Sequence, residues 1–250
     1  MVFQILLVLF IGACTGSFLN TCIERIPAGR CVAVPPSHCE ECGHRLGFVD
    51  LVPVLSYIYL RGRCRWCGAP LPLLYPLVEL LTAVLFFLTW SGSGFNEVTL
   101  AYWVFVSILV VATGTDLRHQ VIPNRLVITG TVFGLPLVAV QSWATLWSGV
   151  AAFGGAGLFM LALAAISRGG MGGGDIKLSA LMGLYLGPVG VTVALFLAFL
   201  LGGLTGIVLL VTRLKRRQDT IPFGPFLALG GIIALLWGGR IVDWYVGLLI

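Results

Sequence analysis

Apolar residues in this chain come in long continuous runs rather than in alternation. Eight runs stand out, at 1–23, 72–90, 98–115, 122–141, 145–166, 176–187, 190–212 and 222–238. A helix that crosses a bilayer needs roughly 20 apolar residues. A membrane β-barrel would instead show short alternating segments. The pattern therefore predicts an all-α polytopic membrane protein with about eight transmembrane helices. The sixth run is short and bounded by Gly and Pro. The first has no charged leader and no small-residue cleavage site, so it reads as a retained span and not as a removed signal peptide. One sizeable polar stretch, 28–71, separates the first two runs. The expected organisation is a first transmembrane helix (1–27), a polar insert (28–71) and a membrane domain (72–250).

Composition agrees with the pattern. Hydrophobic residues make up 58% of the chain, charged residues only 10%, and the mean hydropathy is +1.02. A soluble core cannot use that much apolar surface. The charges orient the spans. Six arginines lie between Arg25 and Arg65, followed by Arg118, Arg125, Arg168, Lys177, Arg213, Lys215, Arg216 and Arg217. If the spans alternate, all of these face one side, and only Arg240 of the 15 Lys and Arg residues faces the other. The positive-inside rule assigns that basic side to the cytosol. The net charge of +5 then follows from topology, and no nucleic-acid partner is needed to explain it. Arg213–Arg217 reads as an anchor at anionic lipid headgroups.

The insert carries Cys39-Glu40-Glu41-Cys42 and Cys64-Arg65-Trp66-Cys67. A C-x2-C pair lets two thiolates meet one ion from a tight turn, and Gly43 and Gly68 follow the pairs where such turns close. Two of these knuckles make a closed tetrahedral site that favours structural zinc. Two disulfides or four free thiols are the other readings. A cytosolic insert stays reduced, which favours the metal. So small a stretch would take much of its folding energy from the ion. Cys14 reads as a packing residue, Cys22 and Cys31 as ordinary thiols, and His38 and His44 as surface histidines.

Asp116 closes the third run, and Asp175 follows Gly172-Gly173-Gly174 and opens the sixth. Ionisable groups at a bilayer edge are costly, and they mark functional sites by default. Both are expected at the cytosolic face. A pair of carboxylates in contact shares one proton, so one can activate water while the other hydrogen-bonds a scissile carbonyl. Gly173 and Gly174 would let an extended peptide approach Asp175. The structural alternatives are that Asp116 caps a turn or pairs with Arg118, and that Asp175 is the N-cap of the sixth span. Glu79 lies inside the second span. It can bind a substrate amine, pair with Arg25, or snorkel to the interface.

With these motifs in place, the chain resembles the bacterial prepilin peptidases, the GxGD-type aspartyl enzymes of type IV pili and type II secretion. The resemblance begins with Gly16-Ser17-Phe18-Leu19-Asn20 and Arg25-Ile26-Pro27, and takes in the cysteine pairs. It continues with Pro53-Val54-Leu55-Ser56-Tyr57, Leu60-Arg61-Gly62-Arg63-Cys64-Arg65 and Tyr75-Pro76-Leu77-Val78-Glu79. It ends with Asp116, Gly172-Gly173-Gly174-Asp175 and Ile221-Pro222-Phe223-Gly224-Pro225-Phe226. It implies cleavage of the basic leader of prepilins and pseudopilins at the cytosolic face of the inner membrane, with Asp116 and Asp175 as the catalytic pair. It also implies N-methylation of the new N-terminus with S-adenosylmethionine, and Cys39, Cys42, Cys64 and Cys67 as metal ligands. The strip Pro70-Leu71-Pro72-Leu73-Leu74 departs from the family pattern by lacking its serine and arginine. Arg61, Arg63 and Arg65 are candidates for the methyl donor's carboxylate or for lipid headgroups.

Three other readings stay open on the residues alone. One is a peptidase without methylation. Another is an ion-coupled transporter that uses the two aspartates as ligands. The last is a metal-dependent membrane interaction module without chemistry.

Overall fold

A computed structural model describes residues 1–167, 171–214 and 220–248. Arg168, Gly169, Gly170, Lys215, Arg216 and Arg217 of the sequence reading lie outside the described residues. Among those described, the chain is helical, with two isolated β-bridges and no strand. Among the described residues, seven helices are long and apolar enough to cross a membrane. The chain forms two compact units, Met1–Phe95 and Asn96–Ile250.

The first unit pairs α1 (Val2–Arg25) with α3 (Leu74–Ser93) across the insert, which holds a single-turn helix, α2 (Leu55–Tyr59). Helices in lipid gain little from the hydrophobic effect, so close backbone approach through small residues is what joins them. Gly12 and Gly16, spaced as G-x3-G, do this here. A Cβ on Gly12 would lie 2.6 Å from the Ala83 Cα, and one on Gly16 would lie 2.6 Å from the Glu79 Cα. One turn further along, the buried Asn20 amide donates to the Tyr75 carbonyl at 3.0 Å. The Tyr75 hydroxyl donates back to Glu24 at 3.0 Å.

The second unit contains α4 (Glu97–His119), α5 (Asn124–Gln141), α6 (Trp143–Ile166), α7 (Gly173–Val211) and α8 (Gly224–Gly247). Its core is Phe105, Leu109, Met160, Leu181 and Met182, all fully buried. Tyr185 stacks on Phe105 with ring centroids 4.9 Å apart and donates to the Gly130 carbonyl at 2.8 Å. Small residues again set the crossings. A methyl group at Gly149 would lie 2.6 Å from the Leu184 oxygen, and one at Gly183 would overlap the Ala152 carbonyl.

The sixth and seventh predicted spans run together as α7. Its 39 residues would reach about 58 Å as a straight helix, nearly twice the roughly 30 Å hydrocarbon core. Gly187 (φ 67°, ψ −179°) breaks it, with Pro188 starting the second arm. The arms fold back on one another. Gly174 of the first arm packs on Ile122, and Phe199 of the second meets Phe223 in a tilted ring contact with centroids 5.2 Å apart. The loop carrying Ile122 and the one preceding Phe223 meet through Thr220, whose hydroxyl donates to Gln120 at 3.2 Å. Both arms therefore end at the same side, and Gly187 lies at the other. The expected eight spans survive as seven helices, one of them a hairpin. Two boundaries move: α4 continues past Asp116 to His119, and α8 continues through Arg240, which sits in the helix and not in a loop beyond it.

The backbone angles of Gly187 are essentially closed to other residues. Gly187→Ala is expected to cost about 1–3 kcal/mol. Gly154→Ala, at a position where an added Cβ meets nothing within 4 Å, is expected to be near neutral. Thermal unfolding of both variants in detergent checks this.

Candidate active site and metal centre

Asp116 sits in the last turn of α4 with only 6% of its surface exposed. Its Oδ2 accepts the backbone N–H of Gly224 at 2.7 Å. That N–H is the first of α8, one of the donors that no intrahelical carbonyl reaches. The N-cap of α8, Phe223, has no side-chain oxygen to offer, and Pro225 has no N–H. A carboxylate from another helix thus caps α8 and lies at the positive end of its dipole. Capping by Asp116 was among the sequence alternatives, but for the next turn and not for a helix so remote in sequence. The glycine is needed here, because a Cβ on residue 224 would lie 2.8 Å from the Asp116 Oδ2.

Asp175 is the third residue of α7 and half-buried. It is not the N-cap of its helix. Gly172 holds that position, and the Asp175 N–H donates to the Gly172 carbonyl at 3.1 Å. Asp175 lies within Coulombic reach of Asp116, so the two carboxylates share one electrostatic environment. Gly174 brings the helix start against the loop between α4 and α5, where a Cβ would lie 2.8 Å from the Ile122 Cβ. Gly173 faces open space. Lys177, expected as an interfacial anchor, donates to the Asn124 side chain at 2.7 Å and ties α7 to the start of α5.

The insert gathers all four paired cysteines. The sulfurs of Cys39, Cys42, Cys64 and Cys67 lie within 4.8 Å of one another, and none is in a disulfide. Cys39 and Cys67 are 3.8 Å apart at sulfur. Thiolates about 2.3 Å from a common tetrahedral ion stand about 3.8 Å from each other. The two knuckles are near copies. Gly43 (φ 68°) and Gly68 (φ 72°) turn the chain in the left-handed region. Their N–H groups return to the Cys39 and Cys64 carbonyls at 2.9 and 3.0 Å. The backbone N–H groups of Cys67 and Trp66 point at the Cys64 sulfur and pull its thiol down to about 7. His44 packs on Trp66 at 4.0 Å, and His38 bonds the Pro36 carbonyl at 3.0 Å, so neither is needed as a ligand. Arg65 pairs with Asp50 at 2.8 Å, which takes it out of the candidates for a donor carboxylate or a headgroup.

Glu79 belongs to the first unit and is engaged there. It accepts the Val54 N–H at 2.7 Å. Val54 is a β-branched residue at φ 61°, a rare backbone state that an outside partner must hold. The expected pairing of Glu79 with Arg25 does not form. Arg25 gives Nη1 to the carbonyls of Val32 and Pro35 at 3.2 and 2.7 Å instead. Sequence reasoning missed Gly224 as the partner of Asp116 and Val54 as the partner of Glu79. A backbone donor carries no side-chain signature.

A family model described as "Bacterial Peptidase A24 N-terminal domain" matches residues 10–92, and one described as "Type IV leader peptidase family" matches residues 103–207. Several relatives are named prepilin leader peptidase/N-methyltransferase. The one from Bacillus subtilis (strain 168) is 37% identical over 96% of this chain and 97% of its own length. Those from Aeromonas hydrophila and Pseudomonas aeruginosa are 34% and 31% identical, over 96% and 97% of this chain and 93% of their own lengths. The chain belongs to the type IV leader peptidase family. As a member of that family it is a multi-pass membrane protein, with its aspartates in the segment matched by the peptidase model and its cysteines in the N-terminal one. No solved structure matches it.

A four-thiolate metal site shields its sulfurs. With metal bound, alkylation under native conditions is expected to spare Cys39, Cys42, Cys64 and Cys67, and chelator is expected to expose all four. Mass spectrometry of alkylated peptides checks this.

Proposed function

We propose that this leader peptidase family member cleaves the basic leader from type IV prepilins and pseudopilins with Asp116 and Asp175. It then transfers a methyl group from S-adenosylmethionine to the new N-terminus. The observation that carries the reading is the pairing of two carboxylates at helix ends, one buried and both in one electrostatic environment. Sharing one proton, the pair has an ionised member and a protonated member. The ionised carboxylate takes a proton from water as its oxygen attacks the scissile carbonyl carbon. The protonated one hydrogen-bonds the carbonyl oxygen. Collapse of the tetrahedral adduct moves a proton to the leaving nitrogen and breaks the C–N bond. The Gly224 N–H fixes the Asp116 carboxylate for this work. Gly173, which faces open space, leaves room for an extended peptide beside Asp175.

The basic loops support a cytosolic site in the bacterial inner membrane. There a basic leader lies in water and the following apolar helix lies in lipid. In the methylation step the freed, neutral amine forms the new N–C bond while the S–C bond breaks, S-adenosylhomocysteine leaves and the ammonium proton passes to solvent. In the insert, Cys39, Cys42, Cys64 and Cys67 would hold zinc. With four protein ligands and no open position, the ion would be structural.

Purified protein incubated with a prepilin and S-adenosylmethionine is expected to lose the leader mass and gain a methyl mass. Asp116→Asn and Asp175→Asn should each slow cleavage by about 10²–10⁴-fold, the usual worth of a positioned acid or base. Cleavage equal to wild type in both variants would remove the aspartyl mechanism. Gly224→Val, which pushes a side chain into the Asp116 carboxylate, should also slow cleavage while zinc content stays unchanged; mass spectrometry and elemental analysis read the two quantities.

A further inference from the structure

The insert of the Met1–Phe95 unit presents large apolar side chains where a loop in water would bury or lack them. In α2, Leu55, Ile58 and Tyr59 share one face by their i, i+3, i+4 spacing. All three are exposed, Ile58 to 66% and Tyr59 to 78%. The opposite face carries Tyr57, whose hydroxyl donates to the Leu71 carbonyl at 3.2 Å and whose ring lies against Gly62. The turn Phe48–Leu51, which packs beside α2, adds Phe48 at 95% exposure. Apolar groups gathered this closely on a surface mark a site of contact.

Three observations say what covers it. The first is depth. The 20 residues of α3 run about 30 Å, the thickness of the hydrocarbon core, so Leu74 marks the edge of that core. Glu79 lies about 8 Å further in, and its side chain, leaning back towards the start of its own helix, takes the Val54 N–H at 2.7 Å. Val54 is the N-cap of α2. The short helix therefore starts beside the span, at the core's edge, and not out beyond the helix ends. The second is the backbone. Peptide groups that face lipid find no water to satisfy them. Around α2 the end groups are taken: Val54 donates to Glu79, Leu55 to the Pro53 carbonyl, Leu60 to Ser56, Arg61 to Ile58 and Gly62 to Tyr57. Pro53 has no N–H to leave bare. The third is charge. Arg61 and Arg63 follow α2 directly, both exposed, and anionic headgroups attract such residues.

We propose that α2 is an in-plane membrane anchor, with Leu55, Ile58 and Tyr59 in the acyl edge of the bilayer and Arg61 and Arg63 at anionic headgroups. Interfacial helices bury their apolar face about 5–10 Å into the boundary between headgroups and acyl chains, and the Glu79–Val54 bond holds α2 at that level. Tyr59 suits the place, since an aromatic ring with a polar tip favours the interface. The insert then lies down on the membrane and does not stand off it. The anchor holds whichever chemistry the protein performs.

Photocrosslinking tests this on the full chain in nanodiscs of phosphatidylcholine, with and without phosphatidylglycerol. Benzoylphenylalanine is placed at Tyr59, at Ile58 and, for comparison, at Glu40, an exposed acid of the first knuckle. Mass spectrometry reads what each probe joins, while thermal melting and zinc content read whether the insert is folded. Phospholipid adducts are expected at Tyr59 and Ile58, several-fold above those at Glu40. Phosphatidylglycerol should raise them, and the double variant Arg61→Gln, Arg63→Gln should lose that rise. If the Ile58 probe loosens the insert, Tyr59, where a ring replaces a ring, decides alone. No lipid adduct in a folded protein would overturn the anchor, as would adducts to a second copy of the chain or to an added prepilin in place of lipid. Lipid adducts that do not respond to phosphatidylglycerol would overturn the part given to the arginines.

Discussion

A single hydrogen bond, from the Gly224 N–H to Asp116, joins the first turn of the last helix to the last turn of the fourth. The membrane environment makes such a bond compulsory. An orphan N–H at a helix start costs several kcal/mol where water is scarce, and α8 has neither a capping side chain before it nor a donor on Pro225. The same bond holds a carboxylate that would otherwise turn towards solvent. One geometric requirement, the absence of a side chain at residue 224, therefore serves the packing of two helices and the placing of a buried carboxylate together. The approach of α7 repeats the device. Gly174 lets its helix start touch Ile122, and Asp175 beside it lies within Coulombic reach of Asp116.

The first unit solves a similar problem with different parts. Its two spans approach through Gly12 and Gly16 so closely that Glu79 has nowhere to go but along the crossing, towards the insert. There it meets Val54, whose N–H points away from its own chain because the backbone is held at positive φ. A buried acid and a strained turn each need a partner, and each supplies the other's. The zinc-type knuckles, the Arg25 contacts to the carbonyls of 32–35 and the Asp50–Arg65 pair give an insert of this size the cross-links that its small apolar content cannot provide.

Features that depend on neighbouring residues were legible in the letters of the chain. The runs announced every membrane helix, since span length is set by the bilayer and not by the partner. The cysteine pairs announced their knuckles, since both thiols and the turning glycine lie within five residues. The G-x3-G of α1 was equally local and could have been read as a packing face. What the letters concealed was pairing through the backbone. Nothing about Gly224 says that its N–H will meet a carboxylate 108 residues earlier, and nothing about Val54 says that it will adopt a left-handed conformation. Helix ends were blurred for a related reason. Arg240 looked like a loop residue by charge, but helix propensity and interhelical packing carried α8 past it.

The cap on α8 also sets an order in time. A ribosome makes this chain from its N-terminus, so Asp116 is made 108 residues before its partner Gly224. Until α8 is in place, Asp116 lacks its backbone donor. Through that stretch of synthesis the end of α4 carries its carboxylate uncapped, and α8 supplies the donor late. The acid at the end of α4 in this way waits for its partner until α8 arrives.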